Sequence, residues 1–85
     1  MDNKLEIFKK KLIYRAGYRG TKEMDILLSS FVNKYINSFN VNQLNELEKF
    51  LNFEDEVILN FYNNNIIDQN IDKNEVSKIF KKFTL

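Results

Sequence analysis

No cysteine, histidine, tryptophan or proline occurs among the 85 residues, and glycine occurs twice. Without cysteine there are no disulfides and no thiolate metal sites; without histidine there is no His-ligated zinc and no Ser-His-Asp triad. Chemistry performed by this chain would have to rest on carboxylates, lysine, arginine or tyrosine. Nor does one sign of charge dominate, since 13 basic residues face 12 acidic ones for a net charge of +1. A chain that draws its affinity from neutralising phosphates is strongly basic, so this balance argues against a dedicated nucleic-acid binder. Long apolar runs are missing too. The longest periodic stretch, 24–39, is interrupted by Asp25, Ser29, Ser30, Asn33, Lys34 and Asn37, and falls short of the ~20 apolar residues that span a bilayer. The opening residues, Met1 to Glu6, show neither an apolar signal core nor an Arg-rich and Ser-rich presequence, which sets the expectation of a cytoplasmic protein without membrane insertion.

What is present is enough for one core. Hydrophobic residues make up 44%, with eight Phe and four Tyr among them, and the 29% that are charged leave a solvated surface. The length suits a single domain spanning 1–85, expected as a monomer. With breakers nearly absent and apolar residues spaced at the helical period, the sequence predicts an all-α bundle of about five short helices.

The first helix is expected from Asn3, which forms an N-x-x-E box with Glu6, to about Ala16, with Leu5, Phe8, Leu12 and Ala16 inward and Lys9, Lys10 and Lys11 on the other face. The second begins near Gly20 and Thr21. Its stripe of Met24, Leu27, Leu28, Phe31, Val32, Tyr35 and Ile36 marks it as the central, most buried helix. The third has a capping box of Asn40 and Gln43, a Phe39 to Leu44 staple, and Leu47, Phe50 and Leu51 inward. Asp55 is read as the cap of a fourth helix that buries Ile58, Leu59, Phe61 and Tyr62. Residues 63–71 read as the longest loop. Asp72 as N-cap with Glu75, and an Ile71 to Val76 staple, start a fifth helix that buries Ile79, Phe80 and Phe83 and ends among Lys78, Lys81 and Lys82.

Both glycines, Gly17 and Gly20, and both arginines, Arg15 and Arg19, fall within residues 15–20. Every other basic residue is Lys, so the two Arg mark places where a planar, bidentate fork is needed. Two readings fit. In the plainer one, Gly17 is the C′ residue of the first helix, Gly20 turns the chain into the second, the arginines are solvated, and Glu23 sits at N3 of a helix capped by Gly20. In the sharper one, Arg15, Arg19, Gly20, Glu23 and Asp25 form a surface patch that docks on a partner through charge-assisted hydrogen bonds. Glu23 and Asp25 project roughly 200° apart around a helix, which does not suit a paired acid/base device, so the chain is not read as an enzyme. Tyr14 and Tyr18 are read as partial core or as pocket lining. Two short helices joined at Gly17 to Gly20 also share the outline of a helix-turn-helix, which keeps a nucleic-acid-binding or adaptor protein as the alternative. No glycine-rich phosphate loop is present.

The stretch Tyr14-Arg15-Ala16-Gly17-Tyr18-Arg19-Gly20-Thr21-Lys22-Glu23-Met24-Asp25-Ile26-Leu27-Leu28 resembles the succinate dehydrogenase assembly factor family, the bacterial and mitochondrial FAD assembly factors. The hallmark R-G-x-x-E stands here as Arg19-Gly20-Thr21-Lys22-Glu23, with Arg15 upstream and Asp25 following. Leu44 to Leu51 resembles the family's third helix, and Asp55 with Ile58 its fourth. Departures are Phe61 where the family usually has Trp, Val57 where it often has Asp, and Glu54 and the Asn-rich loop where Pro is common.

The resemblance implies a small helical bundle that binds the flavoprotein subunit of succinate dehydrogenase, and of fumarate reductase in some bacteria. It further implies that the factor promotes covalent attachment of FAD to a His of that subunit while binding no cofactor stably itself. Lacking His and Cys, this chain cannot carry flavin through the usual histidyl or cysteinyl links. Two stability expectations follow from the sequence alone: Phe31→Ala should cost about 3–5 kcal/mol, and removal of a solvated Arg19 should cost little.

Overall fold

The computed structural model describes residues 3–85. Five helices succeed one another, α1 (Asn3–Ala16), α2 (Lys22–Tyr35), α3 (Val41–Leu51), α4 (Asp55–Asn64) and α5 (Glu75–Lys81), with a 3-10 turn at Ile71–Lys73 before the last. No described residue lies in a strand, and the all-α architecture is as the apolar spacing predicts. The molecule measures 41 × 26 × 20 Å.

The helix starts depart from expectation where several polar residues compete for one cap. At α3 the capping box forms as predicted, with the Gln43 N–H donating to Asn40 Oδ1 (2.8 Å) and the Asn40 N–H to Gln43 Oε1 (3.0 Å). Phe39 and Leu44 are both buried beside it. Asn3, by contrast, is already a helical residue of α1 and not its N-cap. At α2 the cap is Thr21, whose Oγ1 accepts from the Met24 N–H, and not Gly20, which has no side chain to offer. Glu23 accordingly stands at N2 rather than N3. At α4 the N-cap is Glu54, without a side-chain bond, and Asp55 is the first helical residue.

The largest shift is at α5. Asp72 belongs to the 3-10 turn, and Asn74 caps the helix by accepting from the Ser77 N–H at 2.9 Å. Tertiary contact decides between the two: Asn74 Nδ2 also donates to the Glu46 carbonyl of α3 (2.9 Å), a bond that only the residue facing α3 can make. The buried Ser77 hydroxyl lies within reach of the Ile71 and Asn74 carbonyls and can donate its single proton to either. Because α4 continues to Asn64, the loop shortens to 65–70, with Asn65 and Asn70 in the left-handed region that Asn tolerates and Gln69 there as well.

The core is aromatic at its centre. Phe31 of α2 is fully buried and packs edge-on against Phe50 of α3 (6.2 Å between ring centroids), Phe80 of α5 (5.0 Å) and Phe83 just beyond it (5.4 Å). Such edge-to-face pairs add to area burial. α1 covers this core from the other side through Leu12 and Ala16, packing on both α2 and α3. The tail is fastened by Tyr62, whose hydroxyl donates to the Phe83 carbonyl (2.6 Å). The departures Phe61 and Val57 are both buried on α4.

Candidate functional site

The α1–α2 connection lies against the turn between α3 and α4, and Arg19 ties the two together. Its Nε donates to Asp55 Oδ1 at 2.9 Å, Nη1 to the Leu51 carbonyl at 2.5 Å and Nη2 to the Phe53 carbonyl at 2.6 Å. The side chain is 12% exposed. Arg19 is therefore an internal staple and not a solvated side chain. Its fork satisfies carbonyls that the end of α3 leaves without intrahelical partners, while the Asp55 carboxylate, at the first residue of α4, is placed where the helix dipole favours an anion.

Asp25 serves the same loop. Its Oδ1 accepts the Arg19 backbone N–H at 2.5 Å, which closes the chain from the start of α2 back across Gly20. Gly20 itself has φ +116°, a conformation that L side chains rarely adopt, and a Cβ built there would meet nothing within 4 Å. Gly17 has a different reason to be glycine: it has no positive φ, so it is not a left-handed C′ residue, but a Cβ there would stand 3.1 Å from the Ser29 hydroxyl of α2. The backbone favours glycine at one position, and at the other an added Cβ would crowd the Ser29 side chain of α2.

Of the five residues that the sequence brings forward for docking, two are turned to the protein itself. Arg19 and Asp25 hold the loop; Gly20 and Glu23 are exposed, and the Glu23 side chain makes no hydrogen bond or ion pair among the described residues. Arg15 is half-buried and donates from Nη2 to Asn52 Oδ1 at 2.5 Å, a second bridge to the α3–α4 turn. The two carboxylates of α2 thus face apart, as their spacing requires. Arg15, Tyr18 and Arg19 border an open depression of about 530 Å³ whose far wall is formed by Asn52, Glu54 and Glu56. Tyr14 and Tyr18 are not core: they are 63% and 71% exposed and stack on each other at 4.4 Å.

Sequence reasoning missed Asp55 and Asn52 as parts of this site. Both lie more than thirty residues from the arginines they bind, and Asp55 carried a sufficient local explanation as a helix cap. Among the described residues no group of three carboxylates is placed to hold a metal ion, and no helix is long and apolar enough to cross a membrane.

A family model described as the flavinator of succinate dehydrogenase, Sdh5, matches residues 10–84. The mitochondrial succinate dehydrogenase assembly factor 2-B of Drosophila willistoni is 43% identical over 51 residues, 60% of this chain and 33% of that protein. The mitochondrial succinate dehydrogenase assembly factor 2 of Scheffersomyces stipitis is 41% identical over 51 residues, again 60% of this chain and 34% of that protein. The chain spans about a third of the length of these curated relatives. No solved structure matches it significantly. With the R-G-x-x-E segment folded into one stapled loop and the family model matching nearly the whole chain, the protein belongs to the Sdh5 family of succinate dehydrogenase flavinators.

Proposed function

We propose that this chain is a non-catalytic assembly factor, cytoplasmic in a bacterial cell, that docks the exposed part of its stapled loop on the flavoprotein subunit of succinate dehydrogenase and promotes covalent attachment of FAD to it. A fumarate reductase flavoprotein is the natural second client. The observation that carries this reading is the division of labour around Gly20. Arg19 and Asp25 fix the loop from beneath, so that a side-chain-free backbone and the unpartnered Glu23 carboxylate are held outward. A surface held rigid before contact loses little entropy on binding.

The chain's contribution would be binding energy that favours the client conformation in which FAD and its acceptor side chain are aligned. The flavin bond itself would form on the client, and this chain would bind no cofactor stably. A nucleic-acid reading has less support, because the exposed start of α2, where a recognition helix would approach phosphates, presents Glu23.

Coexpression with the flavoprotein subunit, scored by in-gel flavin fluorescence and by pull-down, tests the proposal. Any side chain at Gly20 incurs the same backbone strain of about 1–3 kcal/mol, so Gly20→Ala controls for strain while Gly20→Arg adds bulk and charge at the exposed backbone. Gly20→Arg is expected to abolish binding and stimulated flavinylation in a chain that stays helical by circular dichroism, with Gly20→Ala intermediate. Wild-type behaviour of Gly20→Arg would place docking elsewhere.

A further inference from the structure

The outward face of α1 is unlike the rest of the surface. Ile7, Lys10, Lys11, Tyr14 and Arg15, spaced i, i+3, i+4, i+7 and i+8, line an open groove of about 390 Å³. Ile7 is 53% exposed, and its side chain and the Tyr14 ring form an apolar floor together with the aliphatic stems of the basic residues. The rim is cationic: Lys10 and Lys11 make no ion pair among the described residues, and α1 sets Lys4, Lys9, Lys10, Lys11 and Arg15 against Glu6 alone. Since the whole chain is only +1, the remainder is net acidic and this face is a local positive field.

The groove is continuous with the stapled loop. Arg15 lines both depressions, and Tyr14 on the groove stacks on Tyr18 at the edge of the other. A rigid aromatic pair at the junction of an apolar floor and a cationic rim has the composition of a protein-interface anchor. A membrane-surface helix would instead offer a broad convex apolar stripe, and here the larger apolar stripe of α1 is spent on the core.

We propose that this groove is a second contact for the same client, occupied by an acidic segment of the flavoprotein whose carboxylates meet Lys10 and Lys11 and whose apolar side chains lie between Ile7 and Tyr14. The assignment rests on the docking reading given above. It is tested by binding kinetics on the purified flavoprotein subunit, with Gly20→Arg measured in parallel and circular dichroism on each variant. Lys10→Glu/Lys11→Glu, both at exposed positions, is expected to lower the association rate about tenfold at low salt and to flatten its salt dependence. Tyr14→Ala is expected to speed dissociation roughly tenfold. If both variants bind with wild-type kinetics while Gly20→Arg does not bind, the groove is idle and the proposal is overturned with the docking reading intact. If the wild-type chain does not bind the flavoprotein, the docking reading fails and the groove assignment with it. If the charge-reversed variant loses binding only to phosphatidylglycerol vesicles and keeps its flavoprotein kinetics, the face belongs to a lipid surface and the proposal is likewise overturned.

Discussion

Arg19 shows how one residue can serve a site without being presented by it. A guanidinium offers five donors in a fixed plane, and here three of its nitrogens meet acceptors on two different segments. Losing it strands one carboxylate and two backbone carbonyls in a half-buried pocket. Arg19→Ala should therefore cost about 2–3 kcal/mol, against the small cost expected for a solvated side chain. Arg19→Lys should recover less than half of that, because a point charge cannot span three acceptors. Urea denaturation of both variants checks this; a midpoint for Arg19→Ala equal to wild type would mean that the staple contributes nothing. The rarity of Arg in a Lys-rich chain was legible as a sign that a fork is needed. What the fork binds was not, because Leu51, Phe53 and Asp55 reach Arg19 only through folding and two of the three acceptors are main-chain atoms without a sequence signature.

At the scale of elements, the apolar period set the number and order of helices, while caps and boundaries were decided by what lay alongside. Asp72 and Asn74 are both competent caps, and only Asn74 faces α3. Asn74→Ala removes a cap and a buried tether to the Glu46 carbonyl together, and should cost about 2 kcal/mol. Asp72→Ala should change stability by less than about 0.5 kcal/mol. Thermal melts of the pair decide the matter, since equal losses would mean that Asp72 holds the start of α5 after all. The same logic explains Thr21 in place of Gly20 at α2. Gly20 supplies the positive φ that turns the chain, and the cap falls to the adjacent Thr21 hydroxyl.

Across the whole molecule, stability concentrates where three helices meet. Phe31 touches Phe50, Phe80 and Phe83, so Phe31→Ala should cost about 3–5 kcal/mol, a large share of the 5–15 kcal/mol that small domains possess. Loss of near-ultraviolet circular dichroism and a lowered denaturation midpoint are the expected readouts; an unchanged midpoint would contradict a Phe31-centred core. Helix class, the apolar stripe by which the second helix carries Phe31 into the core, and the docking candidates in residues 15–25 were all legible in the sequence itself, because apolar periodicity and the residue types that supply forks, turns and caps are local properties. The tertiary structure alone decided which docking candidates face outward and which hold the loop, and that Tyr14 of α1 and Tyr18 of the following connection are left in solvent. Arg15 and Arg19 find their side-chain partners Asn52 and Asp55 more than thirty residues away, where no local pattern records the pairing.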